Sequence, residues 1–510
     1  MDRCAMNRRE FAGLAAGVAG GMVGLAGSVW ADAEAWDPDR PLAIPARKLR
    51  VQPVFMHTTY QRREKTSWKS WSSINTPEAA QEEAARIAKE LAAMAAGADV
   101  GLEILPLATV TTPEQARRVH DADYDVVLVY PATGSGNVLR ACFPTKPDKD
   151  AIIFVRHRSG PVYYWYEALS TGYLKKATDA EVAQNTARNH GGVTIHDAVV
   201  DDYGEVTWRL RALAGLKNFI GQRIVALGKA QGKYDPQAPK VAREKYELKI
   251  IEVGYDELTE RIKRARANAE LVAQAEKWTD QYLALPNTRL ATKREFVRNA
   301  FLLYRIFKDW MREHQAPAFT IEQCMGTVMP ISETTACMPL SWLNDEGWGA
   351  FCESDFVIIP AGLLLYFIAG KPVFLHNSTF PHKGIVTCAH CTSPRRMDGK
   401  RYEPVEILTH YESDYGAAPK VEMPVGQQVT FVDPEYATGR WLGFRGVVKA
   451  NPFLEICRSQ QDVEIQGDWK RLLGEARDSH WMMAYGDYLK ELGYAARKIG
   501  IRWVDLSEKA

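Results

Sequence analysis

The amino-acid sequence predicts an α/β protein with two doubly wound parallel-sheet domains followed by a C-terminal antiparallel β-barrel-like domain. Between residues 49 and 370, short apolar runs alternate with longer amphipathic stretches, and this alternation is typical of parallel sheets with helical connections. After residue 372, short strand-like runs follow one another with turn residues between them, which is typical of an antiparallel barrel or sandwich. A chain of 510 residues also exceeds what one core supports. We therefore expect domains at 46–202, 203–372 and 373–510.

The first domain is predicted to begin with a buried strand at 49–56. Thr76 and Pro77 mark the start of an Ala/Glu-rich helix, because threonine caps helix N-termini and proline is tolerated in the first turn. The remaining elements continue the alternation, with a strand at 102–105, a helix at 113–122, and strands at 125–130 and 151–155.

The second domain is predicted to contain more helix than strand. Its strands are expected at 223–227 and 247–253, and its helices at 206–220, 256–278, 293–314 and 356–368. Gly370 follows the last helix, where glycine commonly supplies a left-handed C-cap.

The third domain is predicted to consist mainly of short strands. These are expected at 373–375, 405–410, 420–423, 428–432, 440–449 and 455–458. A helix at 481–499 and a strand at 502–504 are expected to end the chain.

Residues 1–33 fit a twin-arginine signal peptide. Arg8 and Arg9 precede a Gly/Ala-rich apolar run at 12–29, and small residues follow it at the point where a signal peptidase would cut. The pattern predicts export to the periplasm or the medium, with no stable membrane insertion after cleavage. Because the run approaches the length that spans a bilayer, an uncleaved anchor is the alternative.

The overall charge argues against a nucleic-acid partner. The chain carries 64 Lys and Arg against 63 Asp and Glu, whereas nucleic-acid binding requires a basic surplus. The 14 Trp and 21 Tyr residues are compatible with a sugar pocket, although large cores and subunit interfaces use such residues more often.

Side chains that can ligate a divalent cation recur in the last third of the chain. Glu353 precedes a predicted helix, and His376 and Asn377 end an apolar run. His390 follows another such run, and His480 opens the predicted last helix. A carboxylate, two imidazoles and one further nitrogen or oxygen ligand can bind a divalent cation and leave room for substrate oxygens. The set predicts metal-assisted chemistry on a polyhydroxylated molecule, although each residue alone is more often structural.

Cys388 and Cys391 enclose His390 in a C-x-x-C motif. A structural zinc site needs a second pair of ligands, and the sequence has none at comparable spacing. Buried thiols near the site are therefore favoured over zinc, and a local disulfide is the alternative.

Five stretches of the last third resemble the L-fucose/L-arabinose isomerase superfamily. They are residues 343–347, 352–355, 370–374, 389–391 and the segment from 480 to 488. The resemblance implies a Mn²⁺-type cation held by two acidic residues and one or two histidines, and a proton moved between neighbouring carbons through an ene-diol. It assigns Glu353 as the first acidic residue, and His390 and His480 as metal ligands. It also implies a sugar substrate and a homo-oligomer.

The sequence departs from the superfamily at the second acidic residue, where His376 and Asn377 stand. An asparagine oxygen can ligate a hard cation but does not accept a proton near neutral pH, whereas an imidazole can do both. Either His376 replaces the lost carboxylate, or Asp355 moves into the site, or two-base isomerisation is impaired. The candidate catalytic residues are Glu353, His376 and Asp355. The candidate metal ligands are Glu353, Asn377, His390 and His480.

Four further residues are candidates for substrate binding. Arg395 and Arg396 can bind hydroxyls or an acidic group, and otherwise belong to a solvated loop. Trp348 can stack on a sugar or fill the core, and His57 can reach the cleft of a neighbouring subunit or simply end a strand.

The resemblance and the candidate ligands together predict an aldose–ketose isomerase that uses a divalent metal. Two alternatives stay open. The first is an exported carbohydrate-binding protein without turnover. The second is a metal-dependent epimerase or lyase acting on a sugar acid, whose carboxylate Arg395 and Arg396 would bind.

Overall fold

The computed structural model describes residues 36–160, 162, 164–166, 193–435, 439–476 and 478–508. The predicted leader at 1–33 lies outside this range. The described residues form two parallel sheets, a closed antiparallel barrel and a small mixed sheet. An α/β architecture with parallel sheets and a C-terminal barrel is therefore confirmed.

The first sheet is entirely parallel in the described part of the chain, with strand order β2-β1-β4-β5-β6 and β3 beside the second half of β1. Thr76 caps the first helix as predicted, because its side chain accepts a hydrogen bond from the Ala79 amide at 3.2 Å. The elements are β1 Leu49–Met56, α1 Pro77–Gly97, β2 Leu102–Ile104, β3 Ala108–Val110, α2 Pro113–Arg118, β4 Val126–Pro131, α3 Gly136–Ala141, β5 Asp150–Val155 and β6 Ala198–Val200.

The second sheet has the order β11-β10-β7-β8, and its pairs are parallel. Its strands are β7 Arg223–Leu227, β8 Lys249–Val253, β10 Ala318–Ile321 and β11 Gly349–Phe351. The helices around it are α4 Tyr203–Phe219, α5 Ala238–Lys245, α6 Tyr255–Ala267, α7 Ala269–Leu283, α8 Arg294–Glu313, α9 Met329–Ser332, α10 Cys337–Asp345 and α11 Ile359–Ala369.

The single helix expected at 256–278 is wrong, since the chain forms α6 and α7 instead. Asn268 lies between them in an extended conformation, and its side chain accepts a hydrogen bond from the Leu271 amide at 3.1 Å. An N-cap of this kind begins a new helix rather than continuing the old one. Gly370 ends α11 with a φ of 61°, as predicted.

Six antiparallel strands close the barrel in the order β16-β19-β12-β13-β18-β17, and β17 pairs back with β16. They are β12 Phe374–Ser378, β13 Ile385–His390, β16 Gln428–Glu435, β17 Arg440–Ala450, β18 Ser459–Gln466 and β19 His480–Tyr485. The last strand, β20 Arg502–Asp505, adds to β17 in parallel. Two helices, α12 Trp469–Glu475 and α13 Leu489–Lys498, precede β20 in the chain, and α13 packs against it.

Two of the predicted barrel strands belong to a separate sheet. β14 Val405–His410 and β15 Tyr415–Val421 form an antiparallel pair, and β14 also pairs in parallel with β9 Thr288–Leu290. The strand expected at 455–458 is also wrong, because regular pairing begins at Ser459.

The terminal helix predicted at 481–499 is only partly right, because its first residues form β19. Every residue of β19 is buried, since the strand has the barrel on one face and α11 on the other. An apolar run buried on both faces lacks the alternation that would identify it as a strand. Gly486, with a φ of 117°, then separates it from α13.

Packing of α4 against α11 and α13 joins the second sheet to the barrel. Gly215 in α4 allows this contact, because a Cβ there would lie 2.4 Å from Cγ1 of Ile368. No helix in the described ranges combines the length and apolarity needed to cross a membrane.

Candidate metal centre

Three side chains from distant parts of the chain converge at the junction of the second sheet and the barrel. Glu353, His390 and His480 each present a ligand atom, and these atoms lie within 4.8 Å of one another. Oε1 of Glu353 is 3.6 Å from Nε2 of His390, and Oε2 is 3.3 Å from Nε2 of His480. A carboxylate and two imidazoles at this spacing can hold a metal ion.

Glu353 reaches the centre through a turn that follows β11 immediately. Glu353 and Ser354 both have left-handed backbones, with φ of 63° and 50°, and such residues cost about 1–3 kcal/mol each. Gln231 supports the turn: its side chain donates to the Glu353 carbonyl at 2.8 Å, and its amide donates to the Ser354 carbonyl at 3.1 Å. Part of the backbone strain therefore lies at Glu353, the residue that carries the carboxylate.

The barrel positions the two histidines. His390 is the last residue of β13 and His480 the first of β19, so each ring stands at a strand end. β12 lies between these two strands and pairs through Asn377 with both Ala389 and His480. The histidines are thus separated by a single strand at one edge of the barrel.

Both rings are held through Nδ1, which leaves Nε2 directed at Glu353. The ring of His480 lies with Nδ1 2.7 Å from Oδ2 of Asp355, and Nδ1 of His390 is 3.0 Å from the Thr392 hydroxyl. Metal-binding histidines in proteins are oriented in the same way by a partner on the other ring nitrogen. The donor set and its supporting contacts therefore fit a metal site.

The contacts within the centre shift the pKa of each group. Burial would raise the pKa of Glu353, but hydrogen bonds with His390 and His480 outweigh it and hold this pKa well below the usual range. Burial lowers the pKa of His390 despite the neighbouring carboxylate. Burial also disfavours the charged form of His480, yet hydrogen bonds to Asp355 and Glu353 raise its pKa to about 9. In the metal-free protein, an ionised Glu353 thus faces a protonated His480.

Lys233 contributes a fixed cation to the same centre. Its Nζ lies 3.3 Å from Oε2 of Glu353 and 3.1 Å from Nε2 of His480. The ammonium donates to Oε2 of Glu353, and it donates to Nε2 of His480 when that nitrogen carries no proton. The space beside Glu353 and His480 therefore holds a positive charge, that of the Lys233 ammonium.

The centre opens into a cavity of about 690 Å³, a size that suits a small-molecule ligand. Polar groups on its wall include Gln231, Gln323, Asn377, Ser378, Thr379, Thr392, His410, Tyr411 and Glu412. The side chain of Glu353 is 40% exposed, so the carboxylate is accessible from the cavity.

Asn377 and His376 lie on opposite faces of β12. Asn377 lines the cavity. His376 is fully buried in the barrel among aromatic rings, with Phe374 and Phe431 at centroid distances of 5.5 and 5.6 Å. Burial lowers its pKa to about 3. The structure therefore brings the amide of Asn377, not the imidazole of His376, to the cavity.

Asp355 lies behind the centre rather than in it. It is buried, and besides its contact with His480 its Oδ1 accepts hydrogen bonds from the amides of Lys233 and Val357 at 3.0 and 3.1 Å. Because both of its carboxylate oxygens accept hydrogen bonds, Asp355 orients the ring of His480 and holds the Lys233 segment close to Glu353.

The proposed substrate residues stand apart from this cavity. Arg395 is buried and donates to the main-chain carbonyls of Glu403 and Pro286, while Arg396 donates to that of Arg40 at 3.0 Å. Trp348 is packed in the core of the second sheet. His57 is half-buried at the end of β1 beside Phe55, in the first sheet. The structure gives the arginines and the tryptophan structural contacts.

Two further residues of the cavity, Lys233 and His410, are not among the candidates named from the sequence. Lys233 lies in a turn 120 residues before Glu353, and no local pattern marks it. His410 is buried, lines the cavity and has its pKa lowered by burial. It ends the strand predicted at 405–410, and His390 follows an apolar run, so a similar position could have identified it.

Comparison with known proteins adds no relative: no family model matches the chain, and no curated protein is significantly similar to it in sequence.

Proposed function

We propose that this protein is a metal-dependent, sugar isomerase-like enzyme that interconverts an aldose and a ketose through an ene-diol. One observation carries the proposal: Glu353, His390 and His480 converge at the wall of a cavity large enough for a monosaccharide. We also propose that the chain is related to the L-fucose/L-arabinose isomerase superfamily, which it resembles in sequence, and that its parallel sheets are doubly wound. The same proposal includes a homo-oligomer and export from the cytoplasm.

The three ligands would hold a divalent cation, which we propose to be Mn²⁺. A carboxylate oxygen and two imidazole nitrogens from these residues would hold the cation, and two adjacent substrate oxygens would complete its binding. When bound, such a cation polarises a carbonyl group and makes a neighbouring hydroxyl more acidic.

The chain supplies the proton transfer. Glu353 stays ionised because its pKa lies well below the usual range, so it accepts a proton from the hydroxyl-bearing carbon only when the carbon acid is strongly activated. His410, a neutral imidazole on the cavity wall, is the second group able to carry a proton. Asn377 can donate a hydrogen bond to a substrate hydroxyl but cannot move a proton.

Exchange of substrate hydrogen for solvent deuterium tests the proposal. The protein is loaded with Mn²⁺, incubated with a panel of aldoses in deuterated water, and the products are followed by NMR. We expect deuterium at the carbon next to the carbonyl with at least one sugar, and loss of exchange by at least about 100-fold in Glu353→Gln. Glu412→Gln, which alters another cavity carboxylate, is the matched control. A metal-loaded protein that exchanges with no sugar contradicts isomerisation.

A sugar acid is the second candidate substrate, and Lys233 favours it. The two arginines expected to bind a carboxylate are buried elsewhere, whereas the Lys233 ammonium lines the cavity. An epimerase or lyase needs one base next to the carboxylate. Exchange with uronic acids but not with neutral aldoses would favour this activity, and tight sugar binding without any exchange would favour a binding protein.

A further inference from the structure

Five free thiols line the wall of the same cavity. They belong to Cys324, Cys337, Cys352, Cys391 and Cys457. Three of them form a contiguous group, because Cys337 and Cys391 belong to one buried cluster and Cys457 packs against it. We refer to Cys337, Cys391 and Cys457 as the thiol cluster.

The C-x-x-C motif does not account for this cluster. Cys388 is fully buried in the barrel interior, whereas Cys391 packs with Cys337 outside it. The two motif cysteines thus lie in different hydrophobic clusters. The neighbours of Cys391 come instead from the start of α10 and from the segment at 451–458 between β17 and β18.

Access distinguishes the two neighbours of Cys391. Cys337 and Cys391 are only 4% and 3% exposed. Cys457 is partly exposed and lies in a segment without regular secondary structure. The Arg458 amide next to it donates to Sγ of Cys391 at 3.5 Å, which keeps the segment against that thiol. Within the thiol cluster, a reagent in solvent would therefore meet Cys457 first.

We propose that Cys391 and Cys457 are a modification site that forms a reversible disulfide, with a low-molecular-weight disulfide as the oxidant. The Cys457 sulfur attacks one sulfur of the oxidant, loses its proton and releases one thiol molecule. The Cys391 sulfur then attacks the Cys457 sulfur of this mixed disulfide, loses its proton and releases the second thiol molecule. Two protein thiols are oxidised by two electrons, and one disulfide is reduced to two thiols.

The consequence for the metal centre rests on the proposed function. Cys391 directly follows His390, so a bond to Cys457 ties the strand end that carries this ligand to the segment at 451–458. A metal ligand displaced from its position binds less well, and we expect metal affinity to fall by about tenfold on oxidation.

Oxidised glutathione is the probe in the experiment. The full chain is reduced, desalted, incubated with oxidised glutathione and alkylated, and its peptides are mapped by mass spectrometry. We expect a cross-linked peptide pair containing Cys391 and Cys457, without retained glutathione, that disappears on treatment with a thiol reductant. A link from Cys391 to Cys337 or Cys388, or five cavity thiols that all remain alkylated, would overturn the proposal.

Variants separate the two steps. Cys391→Ser should retain glutathione on Cys457, because the second thiol is missing, and Cys457→Ser should show neither adduct nor cross-link at Cys391. Cys142→Ser, which alters a buried thiol in the first domain, should cross-link like the unaltered protein. If Cys391→Ser does not fold, the peptide maps of the unaltered protein and of Cys457→Ser still test whether the disulfide forms.

Calorimetric titration of Mn²⁺ into the reduced and oxidised forms completes the test. A cross-linked protein with unchanged Mn²⁺ affinity would overturn the link to the centre while the modification site stands. A protein that cross-links but binds no Mn²⁺ in either form would instead count against the proposed function.

Discussion

Oδ2 of Asp355 lies 2.7 Å from Nδ1 of His480, although the two residues are 125 positions apart. The contact fixes the imidazole so that Nε2 faces Glu353. Both partners are buried, so the hydrogen bond is shielded from water. Asp355 therefore acts on the centre through His480.

Asp355→Asn should weaken metal binding by about 10- to 100-fold, because loss of the carboxylate removes the partner that orients His480 and makes it basic. Calorimetric titration with Mn²⁺ measures this change. Asp398→Asn, which alters an acidic residue of an exposed turn, is the control and should bind as the unaltered protein does. Equal affinities for both variants would contradict the positioning role.

Lys233→Met should strengthen metal binding by at least about tenfold. The Lys233 ammonium competes with a divalent cation for Glu353 and His480, and like charges at this distance repel by several kcal/mol at an effective dielectric constant of about 20. Methionine keeps most of the side-chain volume without the charge. Competition titrations with a fluorescent chelator would measure the affinity, with Lys229→Met, an exposed neighbour, as control.

Metal affinity should rise with pH up to about 9 and then level off. The pKa of His480 is raised to about 9 by its hydrogen bonds to Asp355 and Glu353, against the effect of burial. A metal ion binds the neutral ring, so binding below this pKa releases one proton and the affinity increases about tenfold per pH unit. Glu353 is ionised throughout, because its pKa lies well below its usual range.

Titrations in buffers with different heats of ionisation would count the released protons. A value near one below pH 9 is expected. An affinity that does not change with pH in that range would show that His480 is already neutral in the metal-free protein.

Gly215→Ala should destabilise the fold by about 1–3 kcal/mol, the usual range for overpacking. The added Cβ would lie 2.4 Å from Cγ1 and 3.0 Å from the amide nitrogen of Ile368, so the neighbouring backbone must move. This effect outweighs the gain of about 1 kcal/mol that alanine usually brings to a helix. Urea unfolding measures the difference. Gly97→Ala, where a Cβ meets nothing within 4 Å, should be neutral or stabilising.

Local signals predicted much of the fold. The strand Leu49–Met56 has the predicted bounds, because an apolar-rich run of that length is typical of a buried strand. Thr76 and Gly370 mark helix ends through their own conformational preferences, and neither depends on distant contacts. The single helix predicted at 256–278 is wrong because Asn268 caps a new helix within that range.

Residue type and a resemblance to a known family identify Glu353, His390 and His480 as candidate ligands. That the three side chains converge follows only from the fold. His480 was expected at a helix start, yet it begins a strand because the barrel and α11 bury both of its faces. Whether His376 or Asn377 faces the cavity depends on strand register, since neighbouring residues of a strand point to opposite sides.

The sequence by itself determined most of the element types, the change from parallel sheets to a barrel, and the residue types available for metal binding. Only the tertiary structure decided that Lys233 shares the centre, that Arg395 and Arg396 lie away from the cavity, and that Cys391 packs with Cys457 rather than Cys388. The physical reason is the separation in sequence over which each kind of interaction acts. Caps and periodicity act over a few residues, whereas these contacts depend on how strands far apart in the chain pair and pack.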